Sequence, residues 1–179
     1  MNEGRTGERV VVRAERLVAG GAALARRDDG RIVLVDGALP GERVEVEVRT
    51  RRGTEHGQVV RVVDPATDRI TPVCPQVAAG CGGCDLAHLA TDAQVPAKVA
   101  LVTDALRRLG RWTDPVVRPG PELPPWAFRT SMRLAVTGGR AGLHRTGTKE
   151  VVGLDHCLVA HPRLDELVHE GDFADAREV

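Results

Sequence analysis

The sequence predicts a mixed fold, in which a small β-barrel is followed by a cysteine loop and by a partial α+β domain. Valine-rich segments separated by glycine-containing turns fill residues 8–63, which is typical of small closed or nearly closed barrels. Three of the four cysteines lie together in residues 74–84, CPQVAAGCGGC. Helix-like and strand-like patterns follow. We therefore divide the chain into a barrel (1–64), a linker with the cysteine loop (65–92) and an α+β part (93–179).

The clearest strand pattern in the barrel region is residues 42–51, ERVEVEVRTR, where valines alternate with charged residues. This period of two predicts a strand with one buried face. Residues 8–18, 30–37 and 57–64 are also rich in valine and are bounded by Gly, Asp and Pro. Because no aromatic residue precedes Trp112, we expect Val, Ile and Leu to fill the barrel.

A helical pattern follows the cysteine loop. Its apolar residues are spaced as on one helix face, which predicts core packing: Val95, Val99, Val102, Leu106 and Leu109. We expect this helix to begin near Pro96, since proline is tolerated in the first turn, and to stop at Gly110.

The C-terminal part reads as two or three strands and a helix. Residues 130–157 are strand-like and contain a Gly138-Gly139 hairpin turn. The segment after Pro162 is helix-like. With the preceding helix, this part predicts a small α+β domain.

Composition sets limits on the class of protein. The chain of 179 residues has 25 basic and 25 acidic residues and a net charge of zero, so no overall field draws it to nucleic acid. The start, MNEGRTGERV, lacks the apolar core of a signal peptide, and no apolar run reaches the length of a membrane span. We therefore expect a cytoplasmic protein without membrane contact, whose thiols stay reduced.

The cysteine motif predicts a metal centre. Cys74, Cys81 and Cys84 follow a C-x6-C-x2-C pattern, and Cys157 is remote. Four thiolates suit an iron–sulfur cluster, because its irons are held by cysteine sulfur and tuned by nearby N–H groups. Gly82 and its neighbouring glycines permit the tight turns that such a loop needs.

Two alternatives to the cluster remain open on spacing alone. Structural zinc also uses C-x2-C, and Cys81, Cys84 and His88 could supply three ligands, with His156 as a further candidate. Only one such cysteine pair is present, whereas structural zinc sites usually combine two. The thiols could also be unliganded or form disulfides, which the expected compartment disfavours.

The order of these segments resembles a known family. GGAALAR and DGRIVLVDGALPGERVEVEV look like a TRAM domain, an RNA-associated OB-like barrel, and CPQVAAGCGGCDLAHL, FRTSMRLAV and GLHRTGTKEVVGLDHCLVAHPRL follow. From about residue 8 to 168, this order is similar to the S-adenosylmethionine-dependent RNA (uracil-5) methyltransferases that contain a TRAM domain. The resemblance implies a TRAM-like OB barrel and a [4Fe–4S] cluster on the four cysteines: Cys74, Cys81, Cys84 and Cys157.

The resemblance covers the N-terminal part of that family's architecture. The chain has no glycine-rich strand–loop–helix segment for S-adenosylmethionine and no fifth cysteine to act as nucleophile. We therefore expect the methyl-transfer domain to be absent, no catalytic residue in this chain and no activity of the chain alone. One departure is that the first cysteine spacing is one residue longer than is usual in the family.

RNA is the expected partner, as rRNA or tRNA, with the chain as a monomer. Of the 25 basic residues only Lys98 and Lys149 are lysine, and arginine binds phosphate through two nitrogens. Barrel loops are common RNA contacts. The predicted RNA-binding residues, each of which could instead be an ordinary solvated side chain, are Arg49, Arg51, Arg52, Arg129, Arg133, Arg145 and Lys149.

Three functions follow as hypotheses. The first is the RNA-recognition and cluster-bearing part of a uracil-5 RNA methyltransferase. The second is a zinc-stabilised RNA-binding module without catalysis, and the third is a small iron–sulfur electron carrier. Trp126 and Phe128 could stack on an RNA base, although we expect them to pack in the core.

Overall fold

The computed structural model of the chain describes residues 7–51, 53–174, 176 and 178–179. The chain forms two compact units. The first contains the chain up to Ile70 together with His88–Arg118, and the second contains Thr71–Ala87 and Pro119–Val179. The cysteine loop thus belongs to the same unit as the C-terminal part. The boundaries after residues 64 and 92 stay predictions.

The first unit is built on a closed five-stranded barrel, as the sequence pattern predicts. The strands follow the order β1-β2-β3-β5-β4 around the barrel. Neighbouring strands are antiparallel except β3 and β5, which are parallel. Their bounds are β1 Glu8–Leu17, β2 Ala23–Arg26, β3 Ile32–Asp36, β4 Arg43–Arg51 and β5 Thr54–Asp64.

Aliphatic side chains fill the barrel. The alternating valines of β4 point inward, with Val44 and Val46 fully buried and Val48 nearly so. Gly57 of β5 is buried, and a Cβ added to it would meet the side chains of Val33 and Val46 at 3.2 Å. A small residue is therefore required there, because real Cβ atoms rarely approach a neighbour this closely and these valines are packed in the core.

Two expectations about the long helix are wrong. Helix α1 is the short Pro75–Ala78, and the long helix α2 runs from Thr91 to Arg108 with Pro96 inside it. Pro96 lies beyond the first turn, so its missing N–H removes one hydrogen bond within the helix. No residue of α2 is buried. The predicted core stripe is instead largely exposed, at 44% for Val95, 49% for Val102 and 85% for Leu109.

The second unit contains a three-stranded antiparallel sheet. Its strands are β6 Ala135–Thr137, β7 Arg140–His144 and β8 Val151–Gly153. Gly138 and Gly139 form the predicted hairpin turn, with φ of 56° and 76°, values that glycine adopts without steric cost.

Helix α3, Pro162–Glu170, begins after His161. Its Val168 joins a buried apolar cluster of the second unit with Leu134, Leu154, Cys157 and Val159. Among the helices of the described residues, none combines the length and the apolar character that a bilayer crossing requires.

Candidate metal centre and nucleic-acid contacts

The cysteine loop is held by its own backbone and by strand β7. Pro75 begins α1 directly after Cys74, and Gly80, with φ of 95°, turns the chain at the end of this short helix. The Cys81 N–H then donates to the Gln76 carbonyl at 2.8 Å, and the Gly82 N–H donates to the His144 carbonyl at 3.0 Å. The end of β7 thus fixes the position of the C-x2-C segment.

The glycines of the loop permit close approach by neighbouring groups. A Cβ on Gly82 would lie 2.8 Å from the His144 carbonyl oxygen, and one on Gly83 would lie 2.5 Å from Leu143 Cδ1. The Arg145 side chain covers the Cα of Gly80. The Gly83 N–H also donates to Cys81, which is the type of N–H to sulfur contact that stabilises a thiolate or a cluster.

Cys157 reaches the same region from the C-terminal segment. It is buried, with 9% of its surface exposed. The Cys157 N–H donates to the Asp165 carboxylate of α3 at 2.5 Å, and the Cys157 carbonyl accepts from the Ala160 N–H at 3.0 Å. A turn and a helix therefore fix the backbone of this cysteine.

The Cys81 and Cys84 thiols respond to burial and to the charges around them. Cys81 and Cys84 pack against the buried cluster that contains Cys157. Burial raises the pKa of the Cys81 and Cys84 thiols, and the negative charges of the other cysteines raise it further, whereas the Arg129 guanidinium opposes this rise. All four cysteines are free thiols. Within the part of the chain that the structure describes, no three His, Cys, Asp or Glu side chains stand close enough to hold a metal ion.

The donor set fits a thiolate-binding group. An iron–sulfur cluster or a zinc ion can be held by four cysteine thiolates, and the chain has four free thiols. The loop also offers glycines that leave room at the site and an N–H directed at the Cys81 sulfur. Of the four thiols, Cys81 and Cys84 pack against the apolar cluster that contains Cys157.

The histidines of the zinc alternative have other partners. His88 lies in the barrel unit and is buried, with a hydrogen bond to the backbone of Ala38. Its pKa is lowered by burial and by the charge of Arg69. His156 contacts Asp165 through Nδ1 at 3.0 Å and stacks on His169 with ring centroids 4.8 Å apart.

A buried ion pair beside His88 was not predicted from the sequence. Glu42 is fully buried and accepts from Arg69, which also donates to the Gly37 carbonyl at 2.6 Å. Nothing in the local sequence distinguishes Glu42 from the half-buried glutamates of β4, because its partner lies 27 positions away.

Ion pairs involve several of the predicted RNA-binding arginines in the described part of the chain. Arg49 pairs with Glu47 at 2.7 Å, Arg133 with Glu178 at 3.2 Å and Arg145 with Glu150 at 2.9 Å.

The other predicted RNA-binding residues differ in exposure. Arg51 and Lys149 are exposed, and Arg129 is half-buried. Arg52 lies outside the described residues.

The expectation that Trp126 and Phe128 pack in the core is wrong. Their surfaces are 43% and 40% exposed. Ala127 between them has a φ of 56° and donates to the Leu158 carbonyl at 2.9 Å. Both rings are thus partly accessible to solvent.

Comparison with known proteins gives relatives but no matching family model. The chain is 33% identical over 167 residues to an uncharacterised RNA methyltransferase of Halalkalibacterium halodurans, covering 90% of this chain and 36% of that protein. It is 37% identical over 152 residues to the 23S rRNA (uracil(1939)-C(5))-methyltransferase RlmD of Methylococcus capsulatus, covering 78% and 33%. An uncharacterised RNA methyltransferase of Streptomyces coelicolor is 36% identical over 179 residues, covering 90% and 39%.

A solved structure shares the fold. The tRNA (uracil-54, C5)-methyltransferase of Pyrococcus abyssi, in complex with S-adenosyl-L-homocysteine, superposes with a TM-score of 0.57 and 23% identity. The match covers 88% of this chain and 34% of the Pyrococcus chain.

The matches therefore cover most of this chain but only part of each relative. The chain spans between 33% and 44% of the length of the curated relatives that it matches. Those relatives are named as RNA methyltransferases, and several of them are named for carbon 5 of uracil in 23S rRNA. The chain is thus similar, over most of its own length, to part of these enzymes.

Proposed function

We propose that the chain is the RNA-recognition and cluster-bearing N-terminal portion of an S-adenosylmethionine-dependent RNA uracil-C5 methyltransferase, acting in the cytoplasm as a monomer. The names of the relatives support RNA methylation and favour it over a zinc module or an electron carrier. The observation that carries the proposal is that Cys157 lies in the apolar cluster against which Cys81 and Cys84 pack. Methyl transfer itself is assigned to the part of the relatives that this chain does not span.

A [4Fe–4S] cluster would be held by Cys74, Cys81, Cys84 and Cys157. When bound, it would supply a structural cross-link between the loop and the Cys157 turn, because it fixes residues that are distant in sequence. The chain contributes the glycine turns, the Gly83 N–H at the Cys81 sulfur and the carboxylate that fixes the Cys157 backbone. Each of these contacts would position the cysteine ligands, and none of them takes part in methyl transfer.

RNA is proposed to bind the barrel, a TRAM-like OB module, at the β4–β5 hairpin through Arg49 and Arg51, together with Arg52, which follows Arg51 in the sequence. In the second unit the proposed contacts are Arg129, Arg133, Arg145 and Lys149. Ion pairs of exposed arginines, such as that of Arg49 with Glu47, do not oppose this role. Such pairs contribute only about 0–1 kcal/mol, so an RNA phosphate can replace the carboxylate.

Binding of a uridine-containing single-stranded RNA oligonucleotide at several salt concentrations tests the RNA part. Affinity is expected to fall as salt rises, because bound phosphates release counterions. The double variant Arg49→Gln/Arg51→Gln should weaken binding and reduce the salt slope by about 1–2. The matched control is Arg61→Gln, another exposed and ion-paired barrel arginine. Binding that is absent, or equal in the double variant, contradicts the proposal.

A further inference from the structure

Arg129 lies between the two segments that carry the cysteines. Its N–H donates to the Val159 carbonyl at 2.8 Å, and its carbonyl accepts from the His161 N–H at 2.8 Å. Its guanidinium Nη2 donates to the Gly83 carbonyl at 3.3 Å. The backbone of Arg129 is thus joined to one segment and its side chain to the other.

The segment joined to the Arg129 backbone is the turn that begins at Cys157. Its Val159 and Ala160 are buried, at 7% and 4% exposure, and the Ala160 N–H donates back to the Cys157 carbonyl at 3.0 Å. A backbone that is buried and hydrogen-bonded in this way has little freedom to move. Arg129 is therefore anchored to the part of the unit that also fixes Cys157.

The residue contacted by the Arg129 side chain lies within the C-x2-C segment. Gly83 stands between Cys81 and Cys84, so the hydrogen bond from Arg129 reaches the middle of the predicted chelating segment. This bond joins positions 46 residues apart. It links the C-x2-C segment to a residue whose backbone is anchored at the Cys157 turn.

The charge of Arg129 is also available to the thiols. Arg133, Arg140 and Arg145 of the same unit each pair with a carboxylate. Among the ion pairs of the described residues, none includes Arg129. A guanidinium stays protonated at every relevant pH, so Arg129 offers a permanent positive charge to a site where several thiolates would gather.

We propose that Arg129 is the positioning residue of the cysteine site, which holds the Cys81–Cys84 segment against the Cys157 turn before any metal group binds. Its charge then reduces repulsion among the thiolates of a bound group, and this second role rests on the proposed cluster. This role is separate from the proposed RNA contact, because it rests on the hydrogen bond from the Arg129 guanidinium to Gly83 within the protein.

The first test uses the metal-free 179-residue chain with Cys74 and Cys81 replaced by serine, so that Cys84 and Cys157 are the remaining thiols. A short bifunctional thiol reagent at one fixed pH measures how often these two thiols meet. Each cross-linking rate is divided by the rate at which a monofunctional reagent of the same type modifies Cys84 in the same variant, because Arg129 also affects the reactivity of this thiol. Arg129→Gln should lower this ratio several-fold, and Arg140→Gln, which removes an exposed ion-paired arginine, should leave it unchanged. Arg129→Lys, a gentler change that keeps a charge and a donor, should give an intermediate ratio. Equal ratios in the wild-type and both Arg129 variants overturn the proposal.

The second test keeps all four cysteines and measures the half-time of iron release to a chelator after reconstitution with iron and sulfide. Release should be several-fold faster in Arg129→Gln than in the wild-type or in Arg140→Gln. If the wild-type takes up no iron, the cluster proposal fails, while the cross-linking ratio still decides the role of Arg129. Iron release at the same rate in all variants overturns the charge-compensating role.

Discussion

Arg69 donates to the buried carboxylate of Glu42 through both Nε and Nη2, with Nη2 2.8 Å from Oε2. The same carboxylate accepts from the Leu39 N–H at 2.8 Å and from the Ala66 N–H at 3.1 Å. Glu42 is fully buried, whereas the Arg69 side chain is 20% exposed. One carboxylate thus joins the barrel to the segment that follows β5.

Glu42→Gln should destabilise the barrel unit strongly. The amide cannot accept all four hydrogen bonds and leaves the charge of Arg69 without its partner in a largely buried place. Breaking a buried pair in this way costs about 3–5 kcal/mol. Denaturant unfolding measures the change, and Glu45→Gln is the control, since Glu45 forms an exposed pair with Arg61 and should change the free energy of unfolding by less than about 1 kcal/mol.

The effect of Glu42→Gln should also depend on pH. Burial tends to raise the pKa of Glu42, but the hydrogen bonds from Arg69, Leu39 and Ala66 hold it below its ordinary value of 4.5. A lowered folded pKa means that the carboxylate contributes its full stabilisation above pH 4.5 and loses it as the pH falls through the folded pKa. The difference between variant and wild-type should therefore be largest near neutral pH and shrink in acid. A difference that stays constant down to pH about 2 would contradict this assignment.

Gly82→Ala should disturb the cysteine loop without affecting the barrel. The new Cβ would lie 2.8 Å from the His144 carbonyl oxygen and 3.1 Å from the Thr146 nitrogen, and both are backbone atoms that cannot move aside cheaply. We expect a loss of about 1–3 kcal/mol and a lower iron content. Gly120→Ala is the control, because its Cβ would meet nothing within 4 Å, and its stability and iron content should match the wild-type.

Asp165→Ala should loosen the Cys157 turn. The carboxylate accepts from the Cys157 N–H at 2.5 Å and contacts His156 at 3.0 Å. Losing a hydrogen bond to a charged group costs about 1.5–3 kcal/mol, and the thiol of Cys157 should become more reactive. The rate of Cys157 alkylation in a variant with the other cysteines replaced measures this effect. Unchanged reactivity and melting temperature would show that Asp165 does not hold the turn.

The barrel could be predicted from the sequence because its signals are local. Strict alternation in residues 42–51 gave the buried face of β4, and Gly138-Gly139 gave the β6–β7 turn, since both depend on neighbouring residues. The apolar stripe of α2 was misleading: helical spacing shows that the residues share a face, but it does not show what covers that face. Val102 belongs to this stripe, yet it is 49% exposed because little of the described chain covers it.

The candidate site could be predicted only in part. Four cysteines in a chain poor in cysteine pointed to one thiol site, and Cys157 does lie in the cluster against which Cys81 and Cys84 pack. The supporting contacts could not be predicted, because they join residues far apart in sequence. The bond from Arg129 to Gly83 and the pair of Glu42 with Arg69 are both of this kind.

The most direct test of the central claim is to measure iron, sulfide and zinc in anaerobically purified wild-type protein and in Cys157→Ala. We predict a brown wild-type protein with about four irons and four sulfides per chain. Cys157→Ala should be colourless, poorly soluble and without iron. A colourless wild-type protein containing zinc, or a Cys157→Ala variant with full iron content and normal melting, would contradict the account.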